Sequence, residues 1–348
     1  MFSKITASHY VLPSQSLTNE DLFKRFDPKK IKGISKLSGI YERRIAPKDV
    51  TSVDLGTESA RRMIESCNID KNSIDMLIFV SPTRDYILPQ SAAIIHNKLS
   101  LSEHCGTFDI VMGCPALPYS LGVANGLIAS GQCSKILLII ADTITKLVNP
   151  KDRGLVPLHG DGAASFIIEK SSSDDGIEFV ETFTDSKNWD VLIVPAGGCR
   201  RPYDESTQIE SVDESGNIVS PENLQMNGAA VFHFSISKIP ETIKNCLEKH
   251  NFSLDRYKLV LLHQANKMML DNIYNSIKAT QEQRFFFMEN VGNLSAASTP
   301  VLLAEAMRTK KISKGDNVLL SSFGVGLSWG VCSVKFGNFI ASTADVEY

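Results

Sequence analysis

Two hydrophobic patterns alternate along the whole chain: short runs of consecutive apolar residues, and longer stretches with apolar positions every three or four residues. The first predicts buried strands and the second amphipathic helices, the signature of an α/β protein. Four runs read as buried strands: IDMLIFVS (74–81), KILLIIAD (135–142), KLVLLHQ (258–264) and NVLLSSF (317–323). Two shorter ones, AASFIIEK (163–170) and WGVCSVKF (329–336), follow the second and fourth. The stretch 196–223, rich in Gly, Pro, Asp and Ser, reads as a connection.

Two passages share one pattern. ARRMIESCNIDKNSIDMLIFV (60–80) is an apolar-periodic helix, a short turn and a strand, and PETIKNCLEKHNFSLDRYKLVLLH (240–263) repeats that order. Ile69–Val80 aligns without a gap on Phe252–His263. Each passage leads to a small-residue turn (Gly113-Cys114; Gly292-Asn293), a helix, a strand, a glycine turn and a last strand. A duplicated α/β unit is therefore expected, with one half over 1–172, a loop-rich connection over 173–223 and a second half over 224–348. A pseudo-twofold axis between the halves brings their strand ends together, and with them Cys114, His263 and Asn293.

Composition narrows the function without naming it. The 348 residues are 43% apolar and 22% charged, with a formal net charge of −3. There is no basic excess of the kind that nucleic acid or a membrane surface attracts. The longest apolar runs, such as ILLIIA (136–141), are too short to span a bilayer. The opening MFSKITASHYVLPSQSLTNEDLF lacks the apolar core and small-residue cleavage site of a signal peptide. Seven scattered cysteines, with no CxxC pair, suggest neither a disulfide framework nor a zinc site, and a reduced cytoplasmic protein is expected.

The candidate chemistry lies at the strand ends. Cys114 falls between the apolar run GTFDIV and PALPYSLGVANGLIASG (115–131), which carries apolar residues at helical spacing. Pro115 suits the first helical position. Cys114 would then sit at or beside the N-cap, where free N–H groups and the helix dipole favour a thiolate. A buried structural thiol is the commoner fate of a cysteine. His263 closes an apolar strand and is followed at once by Gln264, Asn266 and Lys267. Such strand ends collect ligands in α/β proteins, although a lone histidine is more often a hydrogen-bonded core residue. The other six histidines, His159 among them, read as structural or exposed. Asn293, in a turn after Gly292, is either a backbone cap or a donor to a developing oxyanion. SSFGVGLSWG (321–330) offers the N–H groups of a glycine turn over Gly324, Val325 and Gly326, a plausible oxyanion hole. HGDGAASF (159–166), with Asp161, reads as a strand-entry turn.

Taken in order, SGIYERR (38–44), Cys114 with its helix, DRG (152–154), GDGAA (160–164), LQMNGAAVFHFSISKIPETI (224–243), HQAN (263–266), VGNLSAASTP (291–300) and SSFGVGLSWG resemble one family across nearly the full chain: the type III β-ketoacyl-acyl-carrier-protein synthases. The resemblance implies a thiolase-like fold, two pseudo-symmetric α/β halves in a layered α-β-α-β-α core, and a homodimer. It implies that Cys114 accepts an acyl group from a thioester primer carried on coenzyme A or carrier protein. His263 and Asn293 then stabilise the enolate that malonyl-acyl-carrier protein forms on losing carbon dioxide, and the product is a β-ketoacyl thioester. No metal or redox cofactor is called for.

The same resemblance makes Arg153 and Asn266 substrate-binding candidates, the former toward a nucleotide or pantetheine arm. The basic residue that usually follows HQAN by two positions is Met268 here, with Lys267 adjacent as a substitute. Gly33 stands where many relatives have a tryptophan that stacks on adenine, which favours a carrier-protein donor over coenzyme A. Leu88 occupies the place of a phenylalanine that closes the acyl pocket across the dimer, so a longer or branched acyl group is expected to fit. Two other readings stay open: a non-catalytic partner subunit, and a relative that joins two acyl chains. A papain-like protease, suggested by the order Cys, His, Asn, lacks the C-G-[SA]-C-[WY] signature.

Overall fold

The computed structural model describes residues 3–348. Its two main sheets contain ten strands. The first half supplies β1 (Ser3–Val11), β2 (Met76–Val80), β3 (Gly106–Ile110), β4 (Lys135–Asp142) and β5 (Gly162–Lys170). After it come β6 (Gly176–Thr184), β7 (Tyr257–Leu262), β8 (Asn317–Gly324), β9 (Ser328–Lys335) and β10 (Ile340–Ala341). Seven helices matter for the site: α1 (Pro28–Ser38), α2 (Ser52–Ser66), α3 (Ser91–Leu99), α4 (Ala116–Ala129), α5 (Gly228–Lys249), α6 (Lys267–Ile277) and α7 (Ser298–Arg308).

The first sheet runs β10-β1-β5-β4-β2-β3 and the second β7-β8-β9-β6. Within the first, β2 and β4 are parallel while β5 is antiparallel to both β4 and β1. Within the second, β7 and β8 are parallel while β9 is antiparallel to both β8 and β6. The order β2-β4-β5-β1 is thus repeated as β7-β8-β9-β6, with the same directions. That is the duplication expected from the sequence. β3 has only a remnant counterpart, an isolated parallel bridge from Val260 to Arg284.

The layering follows from where the apolar residues fall. β4 is buried from Ile136 to Asp142, as a central strand covered on both faces must be. α7 is buried at every position from Ser298 to Met307, and a helix apolar all round belongs inside. It packs with α4 between the two sheets, in one cluster that joins Leu117, Leu121, Val301 and Leu302 to residues of both. α2 and α3 cover the outer face of the first sheet, around Met63, Leu77 and Ile139. α5 and α6 cover the second, around Ile243, Ile273 and Leu319. The result is five layers, α-β-α-β-α.

One stretch differs from expectation. Residues 173–223 are more than a connection, because β6 within them forms an edge strand of the second sheet. β1 was likewise not marked by the sequence pattern. Its burial is nearly continuous rather than alternating, and its polar Ser8 and His9 are buried with the rest.

Candidate active site

The turn that carries Cys114 is locked from both sides by missing side chains. A Cβ on Gly113 would lie 2.8 Å from Val325 Cγ1, and one on Gly324 would lie 2.6 Å from Cys114 Cβ. Only glycine at both positions lets the start of α4 rest directly on the β8–β9 turn. The N–H groups of Val325 and of Cys114 itself point at the sulfur. Ser295 Oγ lies 4.0 Å from it.

Two expectations for this turn are corrected. Pro115 is the N-cap rather than the first helical residue, with Cys114 directly before it, beside the N-cap as expected. The thiol is also not poised as a thiolate: burial pushes it up to about 11, and the nearby Asp142 carboxyl acts in the same direction. A helix N-terminus is worth only ~0.3–2 kcal/mol, and here desolvation of the anion outweighs it.

His263 leaves the end of β7, with its N–H donating to the Ser321 carbonyl of the neighbouring β8 (2.9 Å). Its ring meets the edge of Phe323 at 5.6 Å. Burial holds the imidazole down at about 3, with the nearby His159 adding to the effect, so the ring is neutral. Asn293 Oδ1 accepts from the Ser295 N–H and the Ser298 hydroxyl, each at 3.0 Å. Both contacts occupy the oxygen, which leaves the amide Nδ2 as the group that can serve the cavity. The backbone cap considered for Asn293 is made by this oxygen and does not occupy the nitrogen.

Cys114, His263 and Asn293 line one cavity of about 390 Å³. Its long wall is apolar, built from Leu192, Val194, Leu224 and Met226 between β6 and α5 and from Val231 and Phe232 on α5. Asn266, Gly324 and Val325 also line it, while Gly326 does not. Asn266 caps α6, its Oδ1 accepting from the Met269 N–H at 2.8 Å. Arg153 and Lys267 do not reach this cavity. Arg153 donates from Nη2 to the Ser215 carbonyl (2.6 Å), and Lys267 pairs with Asp271 (2.6 Å). Leu88 stands 83% exposed on the outside of the chain.

Two residues of the site escaped the sequence. Ser295 lies in a run of small residues and is held at φ +49°. His159 lines the cavity directly. Its signal was present in the quoted HGDGAASF turn, but nothing in the linear order placed that turn beside Asn293.

None of these side chains offers a fixed charge at neutral pH. A neutral thiol, imidazole and amide under an apolar tunnel suit the movement of acyl groups between sulfur atoms, where charge develops only in passing. With the doubled five-layer scaffold, this places the chain among the thiolase-like condensing acyltransferases. The 3-oxoacyl-[acyl-carrier-protein] synthase III family model matches residues 108–188, and its C-terminal counterpart matches 247–336. The β-ketoacyl-[acyl-carrier-protein] synthase III of Fusobacterium nucleatum is 33% identical over 327 residues, 94% of this chain and 96% of that one. A solved 3-oxoacyl-(acyl-carrier-protein) synthase III superposes with a TM-score of 0.93 at 32% identity, covering 97% of this chain and all of that one. The 3-oxoacyl-(acyl-carrier protein) synthase of Burkholderia xenovorans gives 0.91 at 29% identity, covering 100% and 97%. The chain belongs to the β-ketoacyl-[acyl-carrier-protein] synthase III family.

Proposed function

We propose that the chain performs a decarboxylative Claisen condensation between an acyl group held on Cys114 and malonyl-acyl-carrier protein. In the first half-reaction the Cys114 sulfur attacks a thioester carbonyl, a new thioester forms, and the thiol proton leaves with the departing sulfur. The N–H groups of Cys114 and Val325, which already converge on that sulfur, hold the tetrahedral oxyanion. In the second, malonyl thioester loses carbon dioxide while His263 and Asn293 Nδ2 hydrogen-bond its carbonyl oxygen as the enolate forms. The enolate carbon attacks the acyl-Cys114 carbonyl, and the thiolate of Cys114 departs. Neutral donors serve this step because the breaking carbon–carbon bond supplies the electron pair.

What supports this role is the convergence of one thiol and two uncharged donors on a single apolar cavity. The lining accepts an acyl chain or pantetheine arm by burial, with ~25 cal/mol per Å² of apolar area covered. Packed against α6, α1 carries exposed Lys29, Lys30, Lys32 and Lys36, none paired with a carboxylate among the described residues. α1 ends at Gly39, packed against Lys267 of α6. This basic surface suits an acidic carrier protein as the donor. A homodimer is proposed from β3, an edge strand left half-buried along its length, and from exposed Tyr86, Ile87, Leu88 and Val111 beside it. In a dimer Leu88 would close the partner's acyl pocket.

Intact-mass measurement of the protein after incubation with acyl-coenzyme A and acyl-carrier-protein donors tests the first half-reaction. Adding malonyl-acyl-carrier protein then tests the second by product mass. A β-ketoacyl product two carbons longer than the primer is expected. No acyl adduct at Cys114 would indicate a scaffold subunit, and a product joining two long acyl chains would indicate the other condensation.

A further inference from the structure

The backbone of Asn293 is gripped on both sides by the segment 158–160, which lies outside the trio of Cys114, His263 and Asn293. Its N–H donates to the Leu158 carbonyl (2.8 Å) and its carbonyl accepts from the Gly160 N–H (3.0 Å). The residue between them, His159, adds a side-chain contact, Nδ1 to the same Asn293 carbonyl at 3.4 Å. We propose that His159 is a positioning residue for Asn293, its Nδ1–H fixing the backbone whose side-chain amide must face the reacting thioester. This rests on the oxyanion-donor role proposed for Asn293.

The chemistry of the ring agrees with its placement. A carbonyl oxygen can only accept, so the Nδ1 nitrogen must carry hydrogen. Burial keeps the imidazole neutral, down at about 4, and its single proton is therefore committed to this bond. His159 also lines both the main cavity and a neighbouring one of about 190 Å³. Removing it altogether would open one cavity toward the other. The informative variants keep the volume and move the donor. His159→Asn returns an amide N–H near the Nδ1 position, His159→Gln sets its amide nearer Nε2, and His159→Phe keeps a ring with no donor.

The two half-reactions are measured separately on the full-length protein: Cys114 acylation by intact mass, and condensation by product formation from pre-acylated enzyme and malonyl-acyl-carrier protein. His159→Phe and His159→Gln are expected to lose far less in acylation than in condensation. Their kcat for condensation should fall about tenfold, the scale of one neutral hydrogen bond, with KM for the malonyl substrate unchanged. His159→Asn should recover most of that loss. Equal loss in both half-reactions, wild-type condensation by His159→Phe, or failure of His159→Asn to rescue would each overturn the inference. Absence of condensation by the wild-type protein would instead overturn the role of Asn293, and this inference with it.

Discussion

The two halves share strand order, direction and helix placement, yet the roles proposed for their strand ends are opposite in kind. After β3 the first half places Cys114, the proposed nucleophile, at the turn before α4. At the corresponding turn the second half places Asn293, the proposed hydrogen-bond donor. Where β2 ends the first half has Val80, fully buried, and the aligned position after β7 is His263. On the proposed roles, the strand ends of one half carry the nucleophile and those of the other the anion-stabilising donors. The segments that differ most between the halves are the insertions after β1 and β6. The first carries the lysines of α1, and the second carries Leu192, Val194, Leu224 and Met226 of the cavity wall. Reactivity follows the repeat, and selectivity is expected to follow the insertions.

The strongest way to break this division is Cys114→Ala, which is expected to abolish the acyl-enzyme mass entirely. Malonyl decarboxylation should survive, because the second half's donors remain. Next, His263→Ala and Asn293→Ala should acylate normally but condense ~10²–10³-fold more slowly, the usual cost of one lost oxyanion donor. Full condensation by both variants would sink the assignment of anion stabilisation to the second half.

Gly324→Ala probes the contact between the halves. Its Cβ would fall 2.6 Å from Cys114 Cβ, and such overpacking costs ~1–3 kcal/mol. A lower unfolding temperature together with slower Cys114 acylation is expected, and an unchanged value of either would mean that the turn relaxes freely.

The pH response sharpens the account of the first half. With the thiol near 11, iodoacetamide should modify Cys114 about tenfold faster for each unit that pH rises from 7 toward 10, since only the thiolate reacts. Exposed Cys199 serves as the reference in the same digest. A rate already level at pH 7 would show a thiolate formed before substrate arrives. Smallest in effect, Lys29→Glu with Lys32→Glu should raise KM for malonyl-acyl-carrier protein several-fold, as rim charges do. Acylation of Cys114 from a small thioester should be untouched.

Much of this was legible in the chain. Runs such as KILLIIAD and NVLLSSF announce strands because burial on both faces demands continuous apolar residues, and the gapless match of 69–80 to 252–263 announces the repeat. Glycine before Cys114 and before Asn293 marked the two turns. β6 was hidden because an edge strand needs little apolar sequence, and here it alternates with polar residues such as Glu178 and Glu181. His159 was hidden for another reason, since its partner is 134 residues away in the chain. The sequence by itself determined most of the elements, the duplication and the three candidate side chains, because these depend on local pattern and residue chemistry. Tertiary structure alone decided that burial overrides the helix N-terminus at Cys114, that the Asn293 oxygen is spent and its nitrogen free, and that His159 stands behind it. Desolvation and hydrogen-bond partners are set by what the folded chain brings close, which no linear spacing contains.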